Sequence, residues 1–306
     1  MDFEKDQNDD EIPAGEISSN PLLIQRTGIK SVVAVSDIHG WYRPLVELLE
    51  KSGIIKKIGK AQDDDGQRGR EKSFKVENDL FQYRGGSTII VIAGDFVDVD
   101  SEGRKVLELI INLEGAALNA GGELISLSGN HERFFLDSDK RYWGKIGEYK
   151  KWIEKRPLMA IVNNILFVHA GISDKALKIV DEGKRDGEDF ICAFKRGLCE
   201  DERLGWEVTN RMFSLRDEVT LGKVIDLMSV DYMVVGHTST YGKKRSEIRL
   251  VGPKIDGKPR VFNIDTEMGD WFKGFEGQKR NNGGVLFLKW IKEGELDTEY
   301  VYREQM

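Results

Sequence analysis

The four histidines of this 306-residue chain are the residues whose type and spacing first indicate chemistry. Each follows an apolar run that predicts a buried strand, and each lies next to a glycine or one residue away from it. Two aspartates and one asparagine occupy matching positions. Imidazole nitrogens combined with carboxylate and amide oxygens suit Mn, Fe, Zn or Co. The set is large enough for two metal ions with a shared carboxylate and open positions for water and substrate: His39, His131, His169, His237, Asp37, Asp95 and Asn130.

The residue pattern in the first half of the chain predicts strands that would bring these residues together. Strand and helix patterns alternate in the ranges 31–36, 43–51, 88–93, 102–118 and 123–128. This alternation is typical of a parallel sheet with right-handed crossovers. Ligands of open α/β sheets bind beyond the carboxyl ends of the strands. The polar residues that follow the three strands are therefore expected at one edge of the sheet.

The second half of the chain is richer in predicted strands. These strands cover 159–163, 165–168, 232–235, 261–264 and 285–290. Residues 174–229 predict helices and loops instead. The whole pattern favours the α/β class, with two packed β-sheets flanked by helices.

The domain organisation predicted from composition is simple. Residues 1–20 are acidic and polar and are expected to be disordered. Residues 21–306 are expected to form a single domain. Within it, the polar, glycine-rich range 56–87 predicts a surface insertion that is mostly loop, with a short strand at 79–83.

The overall composition excludes several classes of protein. Charged residues make up 32% of the chain and the net charge is -7, so a broad nucleic-acid surface is not predicted. No apolar run approaches the ~18–20 residues of a membrane helix, so no membrane partner is expected. Cys192 and Cys199 form neither a disulfide framework nor a Cys-x-x-Cys site. We therefore predict a cytoplasmic protein.

Five short motifs together resemble those of the calcineurin-like metallophosphoesterases in order and approximate spacing. They are Asp37-x-His39, Gly94-Asp95-x-x-Asp98, Gly129-Asn130-His131-Glu132, His169-x-Gly171 and Gly236-His237. The form Gly-Asn-His-Glu resembles the phosphoprotein phosphatase family. Further details are similar to its bacterial-type branch, which includes Shewanella-like and ApaH-like phosphatases: Gly121-Gly122, Asp139-x-Arg141-Tyr142, Arg156-Pro157 and Ile264-Asp265-Thr266. The resemblance implies the calcineurin-like metallophosphoesterase fold.

The resemblance also implies a division of the ligands between two divalent metal ions. Asp37, His39 and His237 would hold one ion, and Asn130 and His169 would hold the other. Mn is the expected metal, with Fe, Zn and Co as alternatives.

Asp95 would bridge the two ions, which would share a hydroxide that attacks phosphorus directly. His131 resembles the general acid that protonates the leaving oxygen, and Asp98 would orient it. Glu132 is expected to brace the loop rather than to contact substrate.

One position departs from the family pattern, in which an arginine follows the second aspartate of the second motif. Val99 stands there in this chain, so a bidentate phosphate clamp is missing. Arg216 resembles another phosphate-binding arginine of the family. Arg141 and Arg133 are further candidates for substrate binding.

The leading functional hypothesis is a metal-dependent phosphatase acting on phosphomonoesters, with phosphoprotein Ser/Thr or Tyr as substrate. An alternative is a phosphoanhydride hydrolase for nucleotide-type substrates, namely dinucleoside polyphosphates or capped RNA, which the basic residues 243–245 would reach. A third hypothesis, from a different class, is a phosphatase-like binding module without catalysis. It would require degraded metal positions, and all of them are intact.

Overall fold

The computed structural model describes residues 22–60, 73–97, 101–137, 146–210, 218–238, 248–255, 257–266, 268, 283–292 and 295–302. Several predicted features lie outside these residues: the acidic N-terminal segment, Asp98, Val99, Arg141, Arg216 and the basic residues 243–245.

Strands and helices alternate along the described residues, and strands predominate after the last helix. The strands are β1 (Leu23–Arg26), β2 (Ser31–Val35), β3 (Ile55–Lys60), β4 (Ser73–Val76), β5 (Asp79–Tyr83), β6 (Ile89–Ile92), β7 (Glu123–Ser126), β8 (Met159–Val162), β9 (Ile165–Val168), β10 (Tyr232–Val235), β11 (Arg249–Ile255), β12 (Lys258–Asn263), β13 (Gly284–Lys292) and β14 (Glu295–Tyr302). The helices are α1 (Tyr42–Lys51), α2 (Gly103–Asn119), α3 (Asn130–Asp137), α4 (Ile146–Glu154), α5 (Asp174–Gly183), α6 (Phe190–Glu200), α7 (Glu202–Asn210) and α8 (Glu218–Met228). None of these described helices combines the length and the apolar character that a membrane crossing requires.

The strands form two large sheets and one small sheet. The first large sheet has the order β14-β13-β2-β6-β7, and the second has the order β1-β8-β9-β10-β12-β11. In the first sheet β2, β6 and β7 are parallel neighbours, and in the second β9, β10 and β12 are parallel neighbours. Each large sheet therefore presents a set of carboxyl strand ends at one edge, where polar residues follow.

Apolar side chains pack between the two large sheets. Along β2, Val32 and Ala34 belong to the cluster shared with the second sheet, which contributes residues such as Phe167. Val33 and Val35 point to the opposite face, where they pack with α1 and α2. Helices α5 to α8 cover the outer face of the second sheet. The prediction of two packed sheets flanked by helices is confirmed, and burial on both faces explains the continuous apolar runs.

The prediction of a loop over 56–87 is wrong for most of the residues described there. The strand at 79–83 is confirmed as β5, but β3 and β4 pair with it to form a three-stranded antiparallel sheet. Every second side chain of β4 and β5 is buried against the helical layer: Phe74, Val76, Phe81 and Tyr83. Polar residues such as Lys75 and Gln82 lie between these buried side chains, and the lysines of β3 lower the mean hydropathy of the segment further, which hides this period of two.

Candidate active site

The predicted ligand residues follow strands of both large sheets. Asp37 follows β2, Asp95 follows β6, and Asn130 begins α3 just after β7. His169 follows β9 directly, and His237 lies two residues beyond the end of β10. The site is therefore assembled across the junction of the two sheets, from loops that the parallel strands place at the same edge.

Four of the site residues have a left-handed backbone conformation. The φ angles are 54° at Asp37, 49° at His39, 54° at Asp95 and 63° at His237. This conformation costs non-glycine residues about 1–2 kcal/mol each, and such residues cluster at functional sites. The backbone thus turns sharply at each strand end, and these turns aim several side chains at one point.

Glycines next to the ligands allow this close packing. A Cβ atom at Gly94 would come within 2.6 Å of His169 Nδ1, and one at Gly236 would collide with Asp37 Oδ2. Gly94 also has a φ of 86°, which favours glycine. The glycine beside each of these ligands therefore leaves the space that the ligand side chain fills.

Three side chains form what we call the inner group: Asn130, His169 and His237. The Nε2 atom of His169 lies 3.0 Å from Asn130 Oδ1, and His237 Nδ1 lies 2.9 Å from the same oxygen. His169 Nε2 is also 3.2 Å from Asp95 Oδ2. His169 Nδ1 lies 2.8 Å from the Ala93 carbonyl, so Nδ1 must donate and Nε2 is left to face the cluster.

Two further imidazoles form the outer group, His39 and His131. Their rings make an edge-to-face contact with centroids 4.6 Å apart, and each side chain is 19% exposed. His131 Nε2 lies 4.0 Å from Asp95 Oδ2, and His39 Nε2 lies 3.9 Å from Asp37 Oδ1. Ligand atoms of Asp95 and the outer group all lie within 4.8 Å of one another, and so do those of Asp95, His169 and His237. Asp95 is common to both sets.

The position of His237 differs from the predicted division of the ligands. That division placed His237 with Asp37 and His39. In the structure the ring of His237 lies in the inner group, and only its backbone N–H contacts Asp37, whose two carboxylate oxygens lie 3.1 Å away. The geometry favours His237 as a ligand beside Asn130 and His169.

The charge distribution of the site fits a bound cation. Asp37, Asp95 and Asp265 are all buried. Burial raises the pKa of Asp37 well above its usual value, and Asp265 raises it further. Burial also acts to raise the pKa of Asp95, but the imidazoles of His169, His39 and His131 together lower it. Buried carboxylates beside imidazole nitrogens match the donor set and the charge that a divalent metal ion requires.

Glu132 connects the loops that carry the ligands. Its fully buried carboxylate accepts four backbone N–H groups, from Asp95 at 2.7 Å, Gly129 at 2.8 Å, Phe96 at 2.9 Å and Val97 at 3.1 Å. Burial raises the pKa of Glu132 to about 7, and hydrogen bonds from Gly129 and Asp95 act in the opposite direction. These contacts confirm the prediction that Glu132 braces the loop.

Asp265 is a site residue whose individual role the sequence analysis did not assign. It lies two residues beyond β12, the neighbour of β10, and after burial its negative charge also raises the pKa of Asp37. Like the aspartate ligands, it is an acidic residue just after a predicted strand, and that is its signal in the sequence. Histidines mark most of the other strand ends. No histidine accompanies Asp265, so this strand end was not singled out.

Arg133 is the candidate phosphate-binding arginine that lies within the described residues. Its Nη1 atom lies 2.9 Å from the position that a Cβ would occupy at Gly205, so the guanidinium packs against α7. Phosphate binding by Arg133 stays a prediction, as it does for Arg141 and Arg216.

The chain is similar to two curated protein phosphatases. It is 25% identical over 271 residues to Shewanella-like protein phosphatase 1 of Plasmodium berghei, an alignment that covers 78% of this chain and 67% of the relative. It is 29% identical over 146 residues to Shewanella-like protein phosphatase 2 of Arabidopsis thaliana, which covers 47% of this chain and 32% of the relative. The matched region thus spans about a third of the length of the Arabidopsis protein.

The fold is similar to that of a solved cold-active protein-tyrosine phosphatase from a psychrophilic Shewanella species. The identity is 23%, the TM-score is 0.54, and the match covers 96% of this chain and 88% of the solved chain. The family model of calcineurin-like phosphoesterases matches residues 30–241, which is more than half of the chain. This match confirms the resemblance and the predicted enzyme class, metal-dependent phosphatases. The chain belongs to the calcineurin-like phosphoesterase family.

Proposed function

We propose that this protein is a two-metal phosphoesterase that hydrolyses phosphomonoesters, with phosphorylated proteins as substrates. The observation that carries the proposal is the position of Asp95, whose carboxylate belongs to both sets of ligand atoms. A shared carboxylate can hold two ions close enough to act on one phosphate group. The family match supports the same class of reaction.

The contacts support a revised division of the ligands. The inner group would hold one ion together with Asp95. Asp37 and His39 would hold the second ion, also with Asp95. His131, although close to His39, would remain outside both coordination shells and keep its imidazole for proton transfer.

Divalent ions at these positions would neutralise phosphate oxygens and lower the pKa of a shared water to about 7. Mn is the expected metal, and Fe, Zn and Co suit the same nitrogen and oxygen donors. Glu132 and the left-handed turns at the strand ends hold the donors in fixed positions. The proposal includes direct attack of water on phosphorus, without a phosphorylated enzyme.

His131 is the proposed general acid. It is partly exposed, at the rim of the ligand cluster, and its Nε2 atom lies 4.0 Å from the carboxylate of Asp95. From this position the imidazole could donate a proton to the leaving oxygen. Asp98, which we propose as the residue that orients His131, lies outside the described residues.

A phosphorylated protein is the proposed substrate because the similar proteins are protein phosphatases. The curated relatives are Shewanella-like protein phosphatases, and the similar solved structure is a protein-tyrosine phosphatase. Phosphotyrosine and phosphoserine or phosphothreonine are therefore the first substrates to compare.

One panel of substrates tests the proposal. Hydrolysis of phosphopeptides, mononucleotides, dinucleoside polyphosphates and capped RNA would be measured with Mn²⁺. We expect release of phosphate from phosphopeptides. Cleavage confined to dinucleoside polyphosphates or capped RNA would instead identify the protein as a phosphoanhydride hydrolase.

The metal part of the proposal has its own test. Asp95→Asn should lose bound metal and activity together, because the shared carboxylate is weakened for both ions. Asp181→Asn, on the exposed face of α5, is the matched control and should keep both. Full metal content and full activity in Asp95→Asn would contradict the two-metal site.

A further inference from the structure

Two large aromatic side chains stand exposed next to the candidate active site. Phe134 of α3 is 44% exposed and Trp206 of α7 is 39% exposed. Their rings meet edge to face, with centroids 6.3 Å apart and an interplanar angle of 66°. Single exposed apolar residues are ordinary, but a pair of aromatic rings that contact each other in solvent is typical of a binding surface. We call these two residues the aromatic wall.

The aromatic wall continues directly from the catalytic side chains. The ring of Phe134 lies 5.8 Å from that of His131, at an interplanar angle of 74°. His131 and Phe134 are three residues apart on α3 and therefore share one face of the helix. The ring of His39 lies on the other side of His131. A path of ring contacts thus leads from a proposed metal ligand, through the proposed general acid, to Trp206.

Neighbouring side chains on α3 and α7 are buried, whereas the two rings are exposed. Glu132 and Phe135 are buried on the other face of α3. In α7, Glu207 is buried, and Gly205 leaves room for the guanidinium of Arg133. Arg133 of α3 thus packs against Gly205 of α7, next to the wall.

We propose that the aromatic wall binds the leaving group of the substrate and that this group is aromatic, as in phosphotyrosine. The inference rests on the proposed phosphoesterase function, because His131 defines where the leaving oxygen lies. A leaving group that extends from that oxygen on the Phe134 side of His131 would reach the aromatic wall. A phenyl ring there can make edge-to-face contacts with Phe134 and Trp206, whereas the short aliphatic side chain of phosphoserine cannot.

Two peptides that differ only in carrying phosphotyrosine or phosphoserine test the wall. For Phe134→Ala and Trp206→Ala we expect the KM for the phosphotyrosine peptide to rise about tenfold, the effect of one lost aromatic contact. The KM for the phosphoserine peptide should change less than about twofold. Trp206→Phe should retain most of the preference. Tyr300→Ala, a 38% exposed aromatic residue on the edge strand β14, is the matched control and should change neither constant.

A binding measurement separates recognition from turnover. Calorimetry with the Mn²⁺-loaded protein should show that phenylphosphonate binds about tenfold tighter than methylphosphonate, and that Trp206→Ala removes the difference. Equal affinities of the wild-type protein for the two phosphonates, or equal changes in KM for the two peptides, would overturn the proposal that the aromatic wall binds the leaving group. A wild-type protein that hydrolyses no phosphoester with metal would instead contradict the proposed function. An active enzyme whose KM for the phosphotyrosine peptide is unchanged by both alanine substitutions would contradict the role of the aromatic wall but not the proposed function.

Discussion

Replacing Glu132 with glutamine should destabilise the protein, because this carboxylate joins two ligand-bearing loops. Oε2 accepts the N–H groups of Asp95 and Gly129 at 2.7 and 2.8 Å, and Oε1 accepts those of Phe96 and Val97 at 2.9 and 3.1 Å. Glutamine would place an NH₂ group where one oxygen accepted two amides. Two buried donors would lose their acceptor at about 1–3 kcal/mol each, so the free energy of unfolding should fall by about 2–6 kcal/mol.

Urea denaturation followed by tryptophan fluorescence measures this change. The comparison should be made at pH 8, where the Glu132 carboxylate, with its pKa of about 7, is mostly ionised. Glu154→Gln, on the exposed side of α4, is the matched control and should shift the free energy of unfolding by less than about 0.5 kcal/mol. A Glu132→Gln protein as stable as that control would refute the reasoning, because the four amide contacts would then contribute nothing.

Three further substitutions examine other parts of the structure. His131→Asn should keep bound metal but lower kcat by about 10²–10⁴-fold, with a larger fall for an alkyl phosphate than for p-nitrophenyl phosphate, whose leaving group needs less protonation. Equal falls for both substrates would count against a general acid. Gly236→Ala should reduce metal content in elemental analysis, since its Cβ would collide with Ser36 Oγ and Asp37 Oδ2; a full complement of metal would show that the loop can move aside. Phe81→Ala, at a fully buried position of the three-stranded sheet, should lower the free energy of unfolding by about 3–5 kcal/mol, and a loss below 1 kcal/mol would mean that this sheet packs loosely on α1 and α2.

The strand ends that carry the site could be predicted from the sequence for a physical reason. Strands buried on both faces are continuous apolar runs, so the first polar residue after each run marks the edge of the sheet. Asp37, Asp95 and His169 can be located in this way from the sequence alone. The period of two in β4 and β5 was missed because both strands are short and carry polar residues such as Lys75 and Gln82 between the buried ones.

The grouping of the ligands depends on atoms that a sequence does not specify. His237 turns its ring toward Asn130 and its backbone N–H toward Asp37, so one residue contacts both sides of the site in different ways. Residue types alone cannot distinguish the ring contact from the backbone contact. The aromatic wall was missed for a similar reason, since Phe134 and Trp206 are 72 positions apart in the chain and meet only when α3 packs beside α7.

The division of the site between two sheets has a mechanical consequence. Asp37 and Asp95 move with the first large sheet, whereas His169 and His237 move with the second. A small sliding of one sheet over the other would separate donors that must converge, and displacements of about 1 Å at such sites can lower rates about 10²-fold. The packed apolar layer that includes Val32, Ala34 and Phe167 therefore opposes this sliding and keeps the reacting groups aligned. Conservative repacking of this layer should alter turnover without touching any residue that contacts the phosphate.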